Sequence, residues 1–139
     1  ENYLHQSIES VLQQDHRNLE LILIDDGSTD GSGIICDTYA AKDNRVRVIH
    51  QKNGGAASAK NTGLRIAGGT YLSFVDSDDF LEPNVFGYML KTLREQNVDA
   101  VQFSFQDVYT ARVEPQQLTP AVMNEKEYKK EIMKANKTI

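Results

Sequence analysis

The order of predicted elements indicates an α/β domain with a mostly parallel sheet and helices on both faces. Apolar runs typical of buried parallel strands occur at 19–24, 70–75 and 100–105, and a short strand with partial alternation is predicted at 45–50. Segments with helical periodicity separate these strands. Because ligands of such sheets bind outside the carboxyl ends of the strands, the residues that follow each strand are the first candidates for a functional site.

Each predicted helix rests on the spacing of its apolar residues and on capping signals. The first helix runs from about 3 to 14 and carries its apolar residues at i, i+4, i+7 and i+8, which form one face. Further helices are predicted from about 34 to 42, over 56–67, from 82–84 to the turn at 97–99, and from 124 onward. The segment 108–122 contains two prolines and no firm period, so it is predicted as a loop or a hairpin.

Composition limits the class of protein. A chain of 139 residues with 40% hydrophobic and 25% charged residues is long enough for one globular domain with a core. Its net charge of −5 argues against a nucleic-acid-binding surface. No apolar run is long enough to span a bilayer, and the single cysteine, Cys36, excludes an intrachain disulfide. We therefore expect a cytoplasmic setting, which includes the cytoplasmic face of a membrane.

Two acidic clusters lie where predicted strands end. Asp76, Asp78 and Asp79 follow the run at 70–75, and Asp25 and Asp26 follow the run at 19–24. Aspartate is common in turns and helix caps, which is the simpler interpretation of each cluster alone. Because the carboxyl ends of parallel strands lie at one edge of a sheet, the two clusters are predicted to converge. Carboxylate oxygens at that density suit Mg²⁺ or Mn²⁺.

The carboxylates can be given roles by their chemistry. A metal held by Asp78 would bridge the oxygens of a diphosphate. Asp76 is placed to accept hydrogen bonds from ribose or sugar hydroxyls, and Asp26 to accept one from a nucleobase N–H, because an ionised carboxylate is only an acceptor. The chain contains no P-loop and no dinucleotide-binding fingerprint. Gly54-Gly55 ahead of a helix is either a phosphate-approaching turn or, as we favour, a flexible turn.

Three ordered motifs resemble those of the family 2 glycosyltransferases, which have the GT-A fold. They are Asp25-Asp26-Gly27-Ser28-Thr29-Asp30, Ala59-Lys60-Asn61-Thr62-Gly63 and Asp76-Ser77-Asp78-Asp79. The segments 7–14 and 20–22 fit the same pattern. The resemblance covers roughly residues 1–105, and the ordered set is far more specific than an aspartate-x-aspartate motif alone.

The resemblance implies an inverting transfer of sugar from a nucleotide-diphospho-sugar, commonly a UDP-sugar, aided by Mn²⁺ or Mg²⁺. By position, Asp26 resembles the base-reading aspartate, Asp76 the first aspartate of the Asp-x-Asp motif and Asp78 the metal ligand, with Asp25 in a supporting role. Lys60 stands where the family often has arginine, and lysine lacks the planar fork for a bidentate diphosphate contact. A solvated helix lysine is the plainer interpretation of Lys60.

Two departures from the family pattern shape the predicted domain organisation. The family begins with an apolar strand that lines the nucleotide pocket, and Glu1 lies just after that point. We therefore assign 1–105 to the donor-binding part, with its first strand missing, and 106–139 to the start of an acceptor-side region. The general base that deprotonates the acceptor hydroxyl is not assigned, because neither Asp107 nor Glu114 lies in a recognisable motif.

Two other functions remain compatible with the acidic clusters. One is a nucleotide-sugar-binding module without catalysis, since no acceptor region with a base is recognisable. The other is an aspartate-dependent phosphohydrolase, which requires a nucleophilic aspartate at a strand end with a lysine close by. For the transferase, the resemblance suggests a carbohydrate or lipid-linked acceptor, and no oligomeric state is predicted.

Overall fold

The computed structural model describes residues 1–101. The helices and strands in this part of the chain are α1 (Leu4–Leu12), β1 (Leu21–Asp25), α2 (Ser32–Lys42), β2 (Val46–His50), α3 (Ala56–Ile66) and α4 (Val85–Gln96). The chain divides into two compact units, Glu1–Leu90 and Lys91–Ile139, with the boundary inside α4. No helix among the described residues is long and apolar enough to span a membrane.

The sheet of the first unit is parallel, as predicted. β1 pairs with β2 in a register that runs from Leu21 opposite Val46 to Asp25 opposite His50. The two carboxyl ends therefore lie side by side at one edge of the sheet. That edge is where loops carrying functional residues emerge in open parallel sheets.

Helices cover both faces of the β1–β2 sheet, which confirms the predicted layering. Successive side chains of a strand point to opposite faces. Leu21 and Leu23 pack on a core cluster formed by Leu4, Ile8 and Cys36, from α1 and α2. The opposite face of the sheet packs against α3, since a Cβ built on Gly63 of α3 would lie 3.9 Å from Ile24 Cγ1. Burial of this apolar surface from both sides stabilises the short sheet.

The described part of the second unit contains the last turns of α4 and its termination. Asn97 adopts a left-handed conformation with φ of 48°, which is tolerated by asparagine and typical of a residue that ends a helix. The Val98 N–H then donates to the Leu93 carbonyl at 3.2 Å. Lys91 and Glu95 form an exposed pair at 3.8 Å on the helix surface.

The predicted strand at Thr70–Val75 is wrong. No strand is assigned there among residues 1–101, and the side chains of Leu72 and Phe74 are 57% and 53% exposed. A strand requires a neighbour to complete its hydrogen-bond ladder. Within the described residues β1 pairs only with β2, so the apolar composition of 70–75 is not sufficient to make it a strand.

Several sequence predictions concern residues outside the described range. They are the strand at 100–105 beyond its first two residues, the loop or hairpin at 108–122, the helix from 124 and the two acids Asp107 and Glu114. The division of function between 1–105 and 106–139 likewise stays a prediction.

Candidate functional site

Asp25 ends β1 and lies in a polar cluster on the α2 side of the sheet. Its carboxylate accepts a hydrogen bond from the Ser28 N–H at 2.9 Å, and Asp25 Oδ2 lies 2.8 Å from His50 Nδ1. The other ring nitrogen, His50 Nε2, lies 3.0 Å from Asp37 Oδ1. Hydrogen bonding from Ser28, and then from His50, lowers the pKa of Asp25. The carboxylates of Asp25 and then Asp37 raise the pKa of His50.

Asp26 is the next residue, and its carboxylate is bound by the loop that leads into α3. Gln51 Nε2 donates to Asp26 Oδ1 at 2.6 Å, the Gly55 N–H donates to Oδ2 at 2.7 Å, and the Gly54 N–H is shared between both oxygens at 3.0 and 3.1 Å. These bonds, led by that from Gln51, lower the pKa of Asp26. The amides of Gly54 and Gly55 thus bind an anion, and that anion is the chain's own carboxylate.

The conformation of Gly55 makes this binding possible. Its φ is 84°, in the left-handed region, and a Cβ there would be strained even though space around it is open. Gly55 directly precedes α3, so its N–H belongs to the unsatisfied donors at the start of that helix. Asp26 satisfies this donor and complements the positive end of the helix dipole.

Lys60 and Asp76 are brought into contact although sixteen positions separate them in the sequence. Lys60 Nζ lies 3.0 Å from Asp76 Oδ1, and the two side chains are about half exposed. The same ammonium lies 5.9 Å from the centre of the Phe74 ring. An exposed pair of this kind adds little stability, about 0–1 kcal/mol. The pair matters because it places the positive charge of Lys60, on α3, beside residues 76–82, called here the acidic segment.

Asp78 lies in a turn that begins at Asp76. The Asp79 N–H donates to the Asp76 carbonyl at 3.0 Å, which closes this turn. The Asp78 side chain is exposed. Over residues 1–101 no group of three or more histidine, cysteine, aspartate or glutamate side chains is arranged to hold a metal. By donor type alone, the exposed carboxylates of Asp76 and Asp78 are residues that could hold Mg²⁺ or Mn²⁺, since Mg²⁺ is usually bound by one or two carboxylates together with substrate phosphates and water.

The predicted convergence of the two acidic clusters is not shown by direct contacts, and one premise of it, a strand that ends at Val75, is wrong. Asp25 and Asp26 leave β1 toward different partners, α2 and the start of α3. α3 then makes the connection, because it begins at the amides that bind Asp26 and carries Lys60 to Asp76. No hydrogen bond or ion pair directly joins Asp25 or Asp26 to Asp76 or Asp78 within the described chain.

Three polar residues of α1 and its end contact the acidic segment, and the sequence interpretation gave them no role. Ser7 Oγ donates to the Asp76 carbonyl at 3.3 Å, and Ser10 Oγ accepts from the Leu81 N–H at 3.0 Å. Gln14 Nε2 donates to the Glu82 carbonyl at 2.9 Å. Their spacing of i, i+3 and i+7 is a polar stripe of helical period, and that stripe is the signal that could have identified them.

Comparison with known proteins decides the family. The sequence model of the family described as "Glycosyl transferase family 2" matches residues 1–138, nearly the whole chain. The chain belongs to glycosyl transferase family 2. The membership confirms the resemblance drawn from the motifs, and it implies the GT-A fold, with which the α/β architecture and parallel strands agree.

Glycosyltransferases of three bacteria are similar in sequence to this family 2 chain. It is 49% identical to glycosyltransferase GlyG of Streptococcus pneumoniae over 71% of its own length and 33% of the relative. It is 37% identical to the uncharacterised glycosyltransferase EpsJ of Bacillus subtilis over 99% of its length and 41% of the relative. It is 40% identical to the uncharacterised glycosyltransferase YibD of Escherichia coli over 68% of its length and 28% of the relative. The chain thus spans well under half of these relatives.

Proposed function

We propose that this family 2 chain binds a nucleotide-diphospho-sugar, a UDP-sugar in the first instance, from which the sugar is transferred with inversion to an acceptor hydroxyl. The observation that supports this most directly is the contact between Lys60 Nζ and Asp76 Oδ1 at 3.0 Å. A lysine beside an exposed acidic turn provides cation and carboxylate together. A metal-bound diphosphate requires both.

The electrostatics of a diphosphate require this combination. The chain carries a net charge of −5, so an anionic ligand needs local positive charge. In the proposal Asp78, with Asp76, holds Mn²⁺ or Mg²⁺. When bound, the divalent cation would neutralise the charge that develops on the diphosphate leaving group. Lys60 contributes a further positive charge, as a single ammonium instead of the bidentate fork of arginine.

Asp26 keeps the proposed role of accepting a nucleobase N–H. Gln51, Gly54 and Gly55 supply three donors, whereas an ionised carboxylate has about four acceptor positions. Because the Gly54 N–H contacts both oxygens, at 3.0 and 3.1 Å, a nucleobase N–H would take one of these two positions while Gly54 keeps the other. Asp25 has a supporting role. Its bonds to Ser28 and His50 stabilise the start of the loop after β1, which carries Asp26.

The acceptor half of the reaction is proposed from the family alone. The acceptor is a carbohydrate or a lipid-linked sugar, and the reaction takes place in the cytoplasm or at the cytoplasmic face of a membrane. An inverting transfer needs a base to take the proton of the acceptor hydroxyl as it attacks. We assign that base to no residue of 1–101.

A donor-binding role without transfer is the second candidate for this chain by itself. It is favoured by one observation: no group of residues 1–101 is recognised as the general base that a transfer requires. A phosphohydrolase is not favoured. Such an enzyme needs a lysine beside a nucleophilic aspartate at a strand end. Lys60 lies beside Asp76, but among residues 1–101 no strand ends at Asp76, and Asp25, which does end β1, is hydrogen-bonded to Ser28 and His50.

The test is calorimetric titration of UDP into the chain with Mn²⁺ and with EDTA, for the wild type and for Asp78→Asn. We expect metal-dependent binding that the substitution weakens at least about tenfold, because even partners outside the first coordination shell commonly contribute that much to metal affinity. Asp99→Asn, at an exposed aspartate outside both acidic clusters of the sequence, is the matched control and should bind as the wild type does.

Two results would contradict the proposal. Equal binding of UDP with Mn²⁺ and with EDTA would refute the metal role of Asp78. If the folded chain binds UDP in neither condition, titration with GDP and titration of a longer chain that includes the first strand separate the two causes. Binding of GDP, or failure of the longer chain to bind UDP, would refute UDP as the nucleotide.

A further inference from the structure

Gln14 is a buried polar residue whose hydrogen bonds all go to main-chain groups. It is 1% exposed and follows the end of α1. Its Nε2 donates to the Ser10 carbonyl at 3.0 Å and to the Glu82 carbonyl at 2.9 Å, and its Oε1 accepts from the Phe86 N–H at 3.1 Å. A buried amide with three such bonds holds two chain segments in a defined relation, since breaking any one leaves a buried group unsatisfied.

Ser10 and Ser7 extend this contact along α1. Ser10 Oγ donates to the Ser7 carbonyl at 2.7 Å and accepts from the Leu81 N–H at 3.0 Å. Ser7 Oγ donates to the Asp76 carbonyl at 3.3 Å. The three side chains therefore hold the main chain on both sides of Asp78, at Asp76 before it and from Leu81 onward after it.

The segment that they hold has no regular structure of its own. Residues 76–84 lie in neither a helix nor a strand, so hydrogen bonds of a sheet or helix do not determine its main-chain path. Main-chain groups in such a segment need other partners, and α1 provides them. The position of the Asp78 carboxylate consequently depends on side chains that do not contact it.

We infer that Gln14, together with Ser10, is a positioning residue that presents the acidic turn 76–79 to a divalent cation and its diphosphate. The inference rests on the proposed function and adds to it the group that sets the geometry of the site. Supporting groups of this kind typically contribute about 10–100-fold to metal affinity. Gln14 acts through the main chain, so we expect an effect at the lower end, about tenfold.

The experiment measures Mn²⁺ binding to the chain in the presence of UDP by electron paramagnetic resonance, for the wild type and Gln14→Met. Methionine keeps the length of the side chain and removes its hydrogen bonds. We expect about tenfold weaker Mn²⁺ binding and, at saturating Mn²⁺, an altered spectrum of the bound ion. Gln13→Met is the matched control, since among the described residues the Gln13 side chain bonds to Glu9 of α1 alone, and the substitution should leave both unchanged.

The spectrum separates positioning from a merely structural role. A residue that only stabilises the fold lowers the folded fraction but leaves the bound ion in its normal environment. Amide hydrogen exchange supplies a second readout, because the Phe86 N–H loses its acceptor in Gln14→Met and should exchange faster. Wild-type affinity and a wild-type spectrum in a folded Gln14→Met chain would overturn the inference.

Ser10→Ala decides the matter if Gln14→Met does not fold. Alanine favours the helix and removes only the acceptor of the Leu81 N–H and the bond to Ser7. We expect weaker Mn²⁺ binding, about threefold, with a spectral change in the same direction; no change in either overturns the inference.

A folded wild type that binds no Mn²⁺ with UDP refutes the metal role in the proposed function, and the inference falls with it. Wild-type binding with unchanged variants refutes the inference alone.

Discussion

Two consecutive aspartates at the end of β1 have different hydrogen-bond partners because their side chains point in different directions. Asp25 and Asp26 have the same side chain, yet they point to opposite sides of the strand. Asp25 meets His50 and Ser28, whereas Asp26 meets Gln51 and the amides that begin α3. Both carboxylates have a lowered pKa because hydrogen bonds stabilise the ionised form. Both therefore remain ionised well below neutral pH.

His50 predicts a pH dependence of stability. Its pKa is raised above the ordinary 6.5, mainly by Asp25 and then by Asp37. A group with a raised folded-state pKa stabilises the fold fully below its unfolded-state pKa, and this contribution disappears as pH rises through the folded-state value. Denaturant unfolding of wild type and His50→Gln should therefore differ more at about pH 6 than at about pH 9.

The control for this measurement is His16→Gln. His16 makes no hydrogen bond with a carboxylate in the described residues, so its substitution should not produce the same pH-dependent difference. A stability difference for His50→Gln that is constant across this pH range, or that grows with pH, would contradict the charged pairing of His50 with the two aspartates.

At the scale of elements, α1 has two faces with different tasks. Leu4 and Ile8 belong to the core cluster, whereas Ser10 and Gln14 bond the acidic segment. The same helix therefore packs the sheet and holds the loop that carries the candidate metal ligand. Such an arrangement ties the position of the site to the hydrophobic core, since neither face can move without the other.

Two glycines in different helices should respond oppositely to the same substitution. Gly87 of α4 donates its N–H to Asp15 Oδ1 at 3.1 Å, and a Cβ on Gly87 would overlap the Asp15 carboxylate. Gly87→Ala would displace this capping group, at a cost of about 1–2 kcal/mol, which the helix preference of alanine offsets by about 0.5–1 kcal/mol. The free energy of unfolding should therefore fall by about 0.5–1 kcal/mol. Urea denaturation followed by circular dichroism measures the change.

Gly63→Ala is the matched comparison within α3. A Cβ there would make an ordinary contact with Ile24 Cγ1 at 3.9 Å. Alanine also restricts the unfolded chain and favours the helix, so Gly63→Ala should raise the free energy of unfolding by about 0.5–1 kcal/mol. A destabilisation by Gly63→Ala comparable to that of Gly87→Ala would show that contacts with Asp15 are not the cause.

For the molecule as a whole, stability depends on a small core between α1, α2 and the sheet. Ile8 is 2% exposed and lies in the cluster with Leu4 and Cys36. Ile8→Ala should lower the free energy of unfolding by about 2–5 kcal/mol, through lost burial and the cavity left behind. Ile34→Ala is the control, because Ile34 is 74% exposed, although helical spacing placed it on the same stripe as Ile35. Its substitution should change the free energy of unfolding by less than about 0.5 kcal/mol. A cost for Ile34→Ala equal to that of Ile8→Ala would contradict this location of the core.

Much of the fold could be predicted from local pattern. The four helices and both strands among residues 1–101 lie where apolar spacing and capping signals predicted them, and β1 and β2 are parallel. The absence of a strand at 70–75 could not be predicted from local pattern. Its composition suits a buried strand, but pairing depends on a neighbour that local sequence does not specify.

The sequence by itself determined the family, the parallel α/β architecture and the identity of the acidic residues, because these depend on local periodicity and on ordered motifs. Only the tertiary structure decided which groups meet. It paired Lys60 with Asp76, bound Asp26 to the amides before α3 and connected Gln14 to the acidic segment. The reason is physical: hydrogen bonds and ion pairs act over about 3 Å, and contacts between positions far apart in the chain exist only once the core has brought their elements together.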